Sequence, residues 1–168
     1  TLAPSSPHHG RRSASLTIIG LATILAANTV VDASGVAAHG VYEASAWTLS
    51  LQRLFLAAGL IAALGGIDHV SARAPRRAGE YWFLLLASVA GMTLLAGARD
   101  LILLVVAFEL MGVPLYVLAA FAKTEGEKPG VRERRPSEGA LKLYLVGATS
   151  TAVTLFGLAL LVGMTGTT

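Results

Sequence analysis

Five long apolar runs separated by polar breaks make up most of the chain: Ser15–Val31, Trp47–Ile67, Tyr81–Ala98, Leu101–Ala122 and Ala140–Met164. Each approaches the ~20 residues that a helix needs to cross a hydrocarbon core. The first run is at the short limit, and the last has room to tilt. All five are continuously apolar and lack the period-two alternation of barrel strands, so the pattern predicts transmembrane helices. Residues 1–168 read as a single all-α transmembrane fragment of five spans. Asp100 is placed to cap the fourth helix, and Ser137 with Glu138 to begin the fifth.

Composition agrees with the pattern. Of 168 residues 54% are hydrophobic and only 14% charged, and the mean hydropathy is +0.66. Those values describe an integral membrane protein. The absence of cysteine excludes disulfides, thiolate metal sites and iron–sulfur ligation within the chain. His8 and His9 lie in a polar tail, and His39 and His69 lie outside or at the edges of the spans. No pair has the spacing of a metal site embedded in a helix. The opening TLAPSSPHHGRRS is no signal peptide, and GMTGTT stops at the mouth of a helix. The sequence therefore reads as an internal piece of a longer protein, or as a split gene product.

Charge sets the orientation. Arg11 and Arg12 precede the first span, Arg73, Arg76 and Arg77 follow the second, and Lys123, Lys128, Arg132, Arg134 and Arg135 follow the fourth. With alternating spans these segments share one side and hold ten of the thirteen basic residues. The stretch from Asp32 to Ala46 has none, and the turn Gly97–Asp100 has only Arg99. The positive-inside rule then puts the N-terminus and residues 123–137 in the cytoplasm and Thr168 outside. The basic residues sit in gaps between spans, so they form no surface that could track nucleic acid. Residues 123–137 (KTEGEKPGVRERRPS) read as a flexible connector, with docking to a soluble neighbour as the alternative. Trp47, Tyr81, Trp82 and Tyr116 lie near span ends, as in an interfacial aromatic belt.

One residue breaks the apolar pattern most sharply. Glu109 lies in the middle of DLILLVVAFELMGVPLYVLAAF, roughly 13 Å along the helix from its start. An ionised carboxylate at that depth costs about 2.5 kcal/mol or more unless it is partnered, protonated or watered. Gly112 and Tyr116 follow at three and seven residues and share its face. Pro114 removes a backbone hydrogen bond and frees the carbonyl of Leu110. Together these residues would suit a hydrated polar pocket, and the alternative is a glutamate that only glues helices. Lys142 opens the fifth span, one turn after Glu138, with which it can pair. It reads equally as a snorkelling lysine and as a buried ammonium whose pKa could reach the physiological range. Arg53 reads as reaching the outer interface. Gly147, Thr149, Ser150, Thr151 and Thr154 give the fifth span a small, hydroxyl-bearing side suited to helix packing. The sequence contains no phosphate-binding glycine motif, no nucleophile–base arrangement and no set of redox-cofactor ligands.

FELMGVPLYVLAAF (Phe108–Phe121) and SEGALKLYLVGATSTAVTLFGLALLVGMTG (Ser137–Gly166) resemble the subunit N family of respiratory complex I, the antiporter-like membrane subunits of NADH:quinone oxidoreductase. GEYWFLLLASVAGMTLLAGARDL resembles the helix before the family's glutamate. The chain departs from the family at Gly139, where alanine is usual, at Leu143, where an aromatic is usual, and at YEASAWTLSLQRLF, which lacks an Asp-Ala/Gly-Phe pattern. The resemblance implies the second through sixth helices of a longer bundle that pumps protons with redox energy released elsewhere. It makes Glu109 the proton-transfer glutamate and Lys142 the lysine of the motif, supported by Tyr116, Glu138, Gly112 and Pro114. It further implies that NADH, FMN, iron–sulfur clusters and quinone are held by other parts of the complex, with no cofactor in this chain. The implied partners are the other membrane subunits, sister antiporter-like subunits among them, and the implied location is the bacterial inner membrane. Two other readings are a subunit of a multisubunit cation/proton antiporter and a non-conducting scaffold.

Overall fold

A computed structural model describes residues 7–30, 35–37, 40–73, 77–121 and 131–166. Its elements are α1 (Pro7–Val30), β1 (Gly35–Ala37), β2 (Tyr42–Ala44), α2 (Ala46–Arg73), α3 (Ala78–Leu95), α4 (Leu101–Ala120) and α5 (Val131–Thr165). All five helices are long and apolar enough to cross a membrane. The protein is an all-α membrane protein with one small hairpin at its edge.

Each helix packs on the next, and α1 also reaches α3. Neighbours run antiparallel. Asn28 near the end of α1 bonds Gln52 near the start of α2, and Tyr81 at the start of α3 stacks on Phe121 beyond the end of α4, with centroids 5.5 Å apart. The core lies among α1, α2 and α3, where Leu21, Leu56, Ala63, Trp82 and Val89 are buried. Helix α4 joins α3 at Gly91. The Leu110–Met111 peptide packs so closely there that any Cβ would strike backbone. Without a hydrophobic drive between helices in lipid, such close backbone approach supplies the attraction. Among the described residues helix α5 touches only α4, and almost all of its apolar span is uncovered, Ala140 being the exception.

The structure alters several expectations. Residues 131–137 continue α5 and are not part of a connector, so the fifth helix starts at Val131 and not at Ser137. Arginine and glutamate are good helix formers, and the turn signal at Pro129–Gly130 precedes them. Residues 123–130 of the expected connector lie outside the described residues. Helix α1 starts at Pro7, ahead of Ser15, at a position where proline is well suited to a first helical turn. Trp82 does not belong to an interfacial belt. It is only 3% exposed and packs edge-on against Tyr81. Trp47 does face outward. The stretch read as a plain loop from Asp32 to Ala46 contains the hairpin, with Val36 opposite Glu43.

Candidate functional site

Asp100 starts α4 in extended backbone and accepts the Ile102 N–H at 2.9 Å, an N-cap that sets where the helix begins. From that start Glu109, Gly112 and Tyr116 fall on one face of α4, the face turned toward α5. Glu109 is half-buried and makes no hydrogen bond or ion pair among the described residues. Gly112 is buried. The Tyr116 ring crosses the helix interface, so that its hydroxyl sits over both Gly112 on α4 and Gly147 on α5. Tyr144 of α5 meets that ring edge-on at 6.2 Å.

The other named residues lie elsewhere. Pro114 is buried within α4, about 160° around the helix from Tyr116 at roughly 100° per residue. The carbonyl group it was expected to free belongs to the peptide packed on Gly91 of α3. The expected pocket of carboxylate, gap, carbonyl and phenol is therefore divided between two faces of α4. Lys142 lies about 140° around α5 from Gly147, again at roughly 100° per residue. It points away from α4 and pairs with Glu138 at 2.7 Å, its side chain 71% exposed. No hydrogen bond or ion pair joins Lys142 to Glu109 among the described residues. Nor does any group of three or more His, Asp or Glu there have the arrangement to hold a metal ion.

A second polar cluster was not foreseen. Arg53 donates from Nε to Asn28 Oδ1 at 3.1 Å and from a terminal nitrogen to the Asn28 carbonyl at 2.9 Å. Asn28 donates to Gln52 Oε1 at 2.8 Å, and Gln52 donates to the Tyr42 hydroxyl. Tyr42 in turn donates to the Thr93 carbonyl at 3.2 Å. Burial pushes the Tyr42 phenol above its ordinary pKa of 10.0, and the Gln52 bond opposes that shift. The hairpin also bonds the α3–α4 turn through Glu43 N–H to the Gly97 carbonyl and through Arg99 paired with Glu43 at 3.2 Å. The sequence does hold a signal for this cluster. Asn28 and Gln52 are polar residues inside two apolar runs, and each needs a partner within an apolar bundle.

Known proteins resemble the chain in the region of this site and beyond it. Residues 98–168, which contain α4 and α5, match the model of the family described as NADH:quinone oxidoreductase/Mrp antiporter, transmembrane. NADH-quinone oxidoreductase subunit N 2 of Streptomyces griseus is 44% identical over 126 residues, 75% of this chain. Subunit N of Heliobacterium modesticaldum is 35% identical over 77% of the chain, and that of Moorella thermoacetica 35% identical over 96% of it. The chain spans only 22%, 26% and 32% of the lengths of these three relatives.

Proposed function

Because the chain belongs to the family of antiporter-like membrane subunits that includes subunit N of NADH-quinone oxidoreductase, we propose that it forms part of a proton-translocating subunit of such a complex. Redox chemistry in other subunits, which would hold NADH, FMN, iron–sulfur clusters and quinone, supplies the energy. The membrane-arm subunits beside it, sister antiporter-like subunits included, are its partners. Its location is the bacterial inner membrane, with the N-terminus and residues 123–137 cytoplasmic as the charge pattern requires.

One observation carries this reading. Glu109 sits midway along the most apolar span of the chain and has no partner among the described residues. A carboxyl in an apolar span is costly to keep unless it is partnered, protonated or watered, and such residues mark proton and ion routes. In the mechanism, Glu109 exchanges protons within the bilayer. Lys142 acts on the other face of α5, coupling the cytoplasmic side to the groups that cover that face in the longer relatives. Charge on one of the two biases the protonation of the other.

Proton uptake by membrane vesicles holding the complete complex tests the reading. NADH-driven pumping should fall by about a hundredfold or more with Glu109→Gln, the scale of losing a proton-transfer group, while electron transfer and assembly persist. Full pumping by that variant would leave the chain a scaffold. Pumping independent of NADH would favour the cation/proton antiporter branch of the same family.

A further inference from the structure

The Tyr116 hydroxyl has a place in the bundle that the packing of two apolar helices does not require. Its ring reaches across to α5, and the hydroxyl occupies the space that a Cβ on Gly147 would need. A Cβ on Gly112 would lie 3.2 Å from the same oxygen. Two glycines on two helices thus leave room for one phenol, and Tyr144 holds the ring edge-on from the α5 side. The oxygen donates to no acceptor among the described residues and is not closed off from solvent, so it is available to bond a water molecule. Tyrosine on a helix leans toward the N-terminal turn, and here that direction leads to Glu109. Gly112, level with the hydroxyl, is three residues from Glu109, about 4.5 Å of helical rise. The gap suits a water molecule between phenol and carboxyl.

We propose that Tyr116, keyed into place by Gly147 and Gly112, is a positioning residue for Glu109 that orders water along the α4–α5 groove. The proposal rests on the proton-transfer reading of Glu109. The phenol donates its hydrogen bond to the water, and the water donates to the carboxylate. A proton reaching Glu109 arrives through that water, and the tyrosine ends the cycle as it began, neutral and protonated. Tyr116 lies between Glu109 and the end of α4 that the charge pattern assigns to the cytoplasm, so this is the approach by which Glu109 would load. Lys142 is not on this path, since it lies on the opposite face of α5.

The test uses Tyr116→Phe, Gly147→Ala and Glu109→Gln in the complete complex, with assembly and electron transfer checked for each. Tyr116→Phe keeps the ring and its packing and removes only the oxygen. NADH-driven pumping should fall by about tenfold, and the infrared carboxyl band of Glu109, identified by its loss in Glu109→Gln, should move. Gly147→Ala should produce the same two changes by displacing the intact phenol. If Tyr116→Phe pumps normally with an unmoved band while Glu109→Gln is inactive, the positioning role is wrong and the glutamate reading stands. If Glu109→Gln itself pumps normally, the reading beneath the proposal fails. Should Gly147→Ala not assemble, Tyr116→Phe alone decides the matter, because it disturbs no packing.

Discussion

Arg53 shows how a full charge is kept inside an apolar helix. Its guanidinium takes both the side chain and the carbonyl of Asn28, one of the last carbonyls of α1, which have no helical partner of their own. A cation at a helix C-terminus is also favoured by the helix dipole. Replacing Asn28 by Leu should remove the side-chain acceptor and strand Gln52 as well. The expected cost is about 1–3 kcal/mol, seen as a lower melting temperature of the assembled complex. An unchanged melting temperature would show that Arg53 finds equal partners without Asn28. Tyr42, at the other end of the same chain of bonds, gives a pH prediction. Its folded-state pKa is raised, so between the unfolded and folded values the native state holds more protons. Its contribution to stability is complete below pH 10.0 and is lost as pH rises through the higher folded value. Hydrogen exchange in the hairpin should therefore quicken above that pH in the native protein, and the effect should vanish with Tyr42→Phe. Among single residues the sequence named the charges, and for Lys142 also its partner Glu138, but not the partner of Arg53. Arg53 is visible as a charge in an apolar run, whereas Asn28 becomes its acceptor only once two helices fold against each other.

The helices themselves were legible because each is an unbroken apolar run near the length of a bilayer crossing. Their ends were less so. Asp100 was recognisable as a cap because aspartate stands immediately before the apolar run, and Asp100→Ala should cost about 1 kcal/mol. Fraying of the first turn of α4, measured by hydrogen exchange at Ile102, would report that loss, and unchanged protection would count against the cap. The start of α5 was misjudged because charged residues, read as solvated loop, also make good helix. The hairpin escaped notice because strands of three residues carry no periodicity to detect. Gly91 is a case where only the fold reveals the need. It is one small residue among several in α3, yet α4 backbone lies against it. Gly91→Leu should push α4 from α3 and cost at least about 1–3 kcal/mol, lowering the yield of assembled complex. Normal assembly would mean that the two helices can repack around a larger side chain.

Across the bundle as a unit, the proposed orientation rests on charge alone, and the chain offers a clean way to check it. It contains no cysteine, so a single one at Thr124 or at His39 can be labelled by itself. A membrane-impermeant thiol reagent applied from outside should reach the His39 position and not the Thr124 position, and the reverse result would invert the assignment. The outward face of α5, uncovered within this chain, has no explanation from its own sequence beyond apolarity. Glu109 and Lys142 stood out in the sequence as charges in apolar surroundings, but the separation of their faces could be learned only from the packing of α5 on α4.

If Glu109 carries protons within the membrane, the ratio of protons moved to electrons transferred must depend on it. Measured in vesicles holding the complete complex, that ratio should fall with Glu109→Gln while the electron rate per assembled complex persists. Glu109→Asp, which keeps a titrating carboxyl one methylene shorter, should recover part of the ratio. An unchanged ratio in Glu109→Gln would rule out the proton-carrying role and leave the glutamate a packing residue.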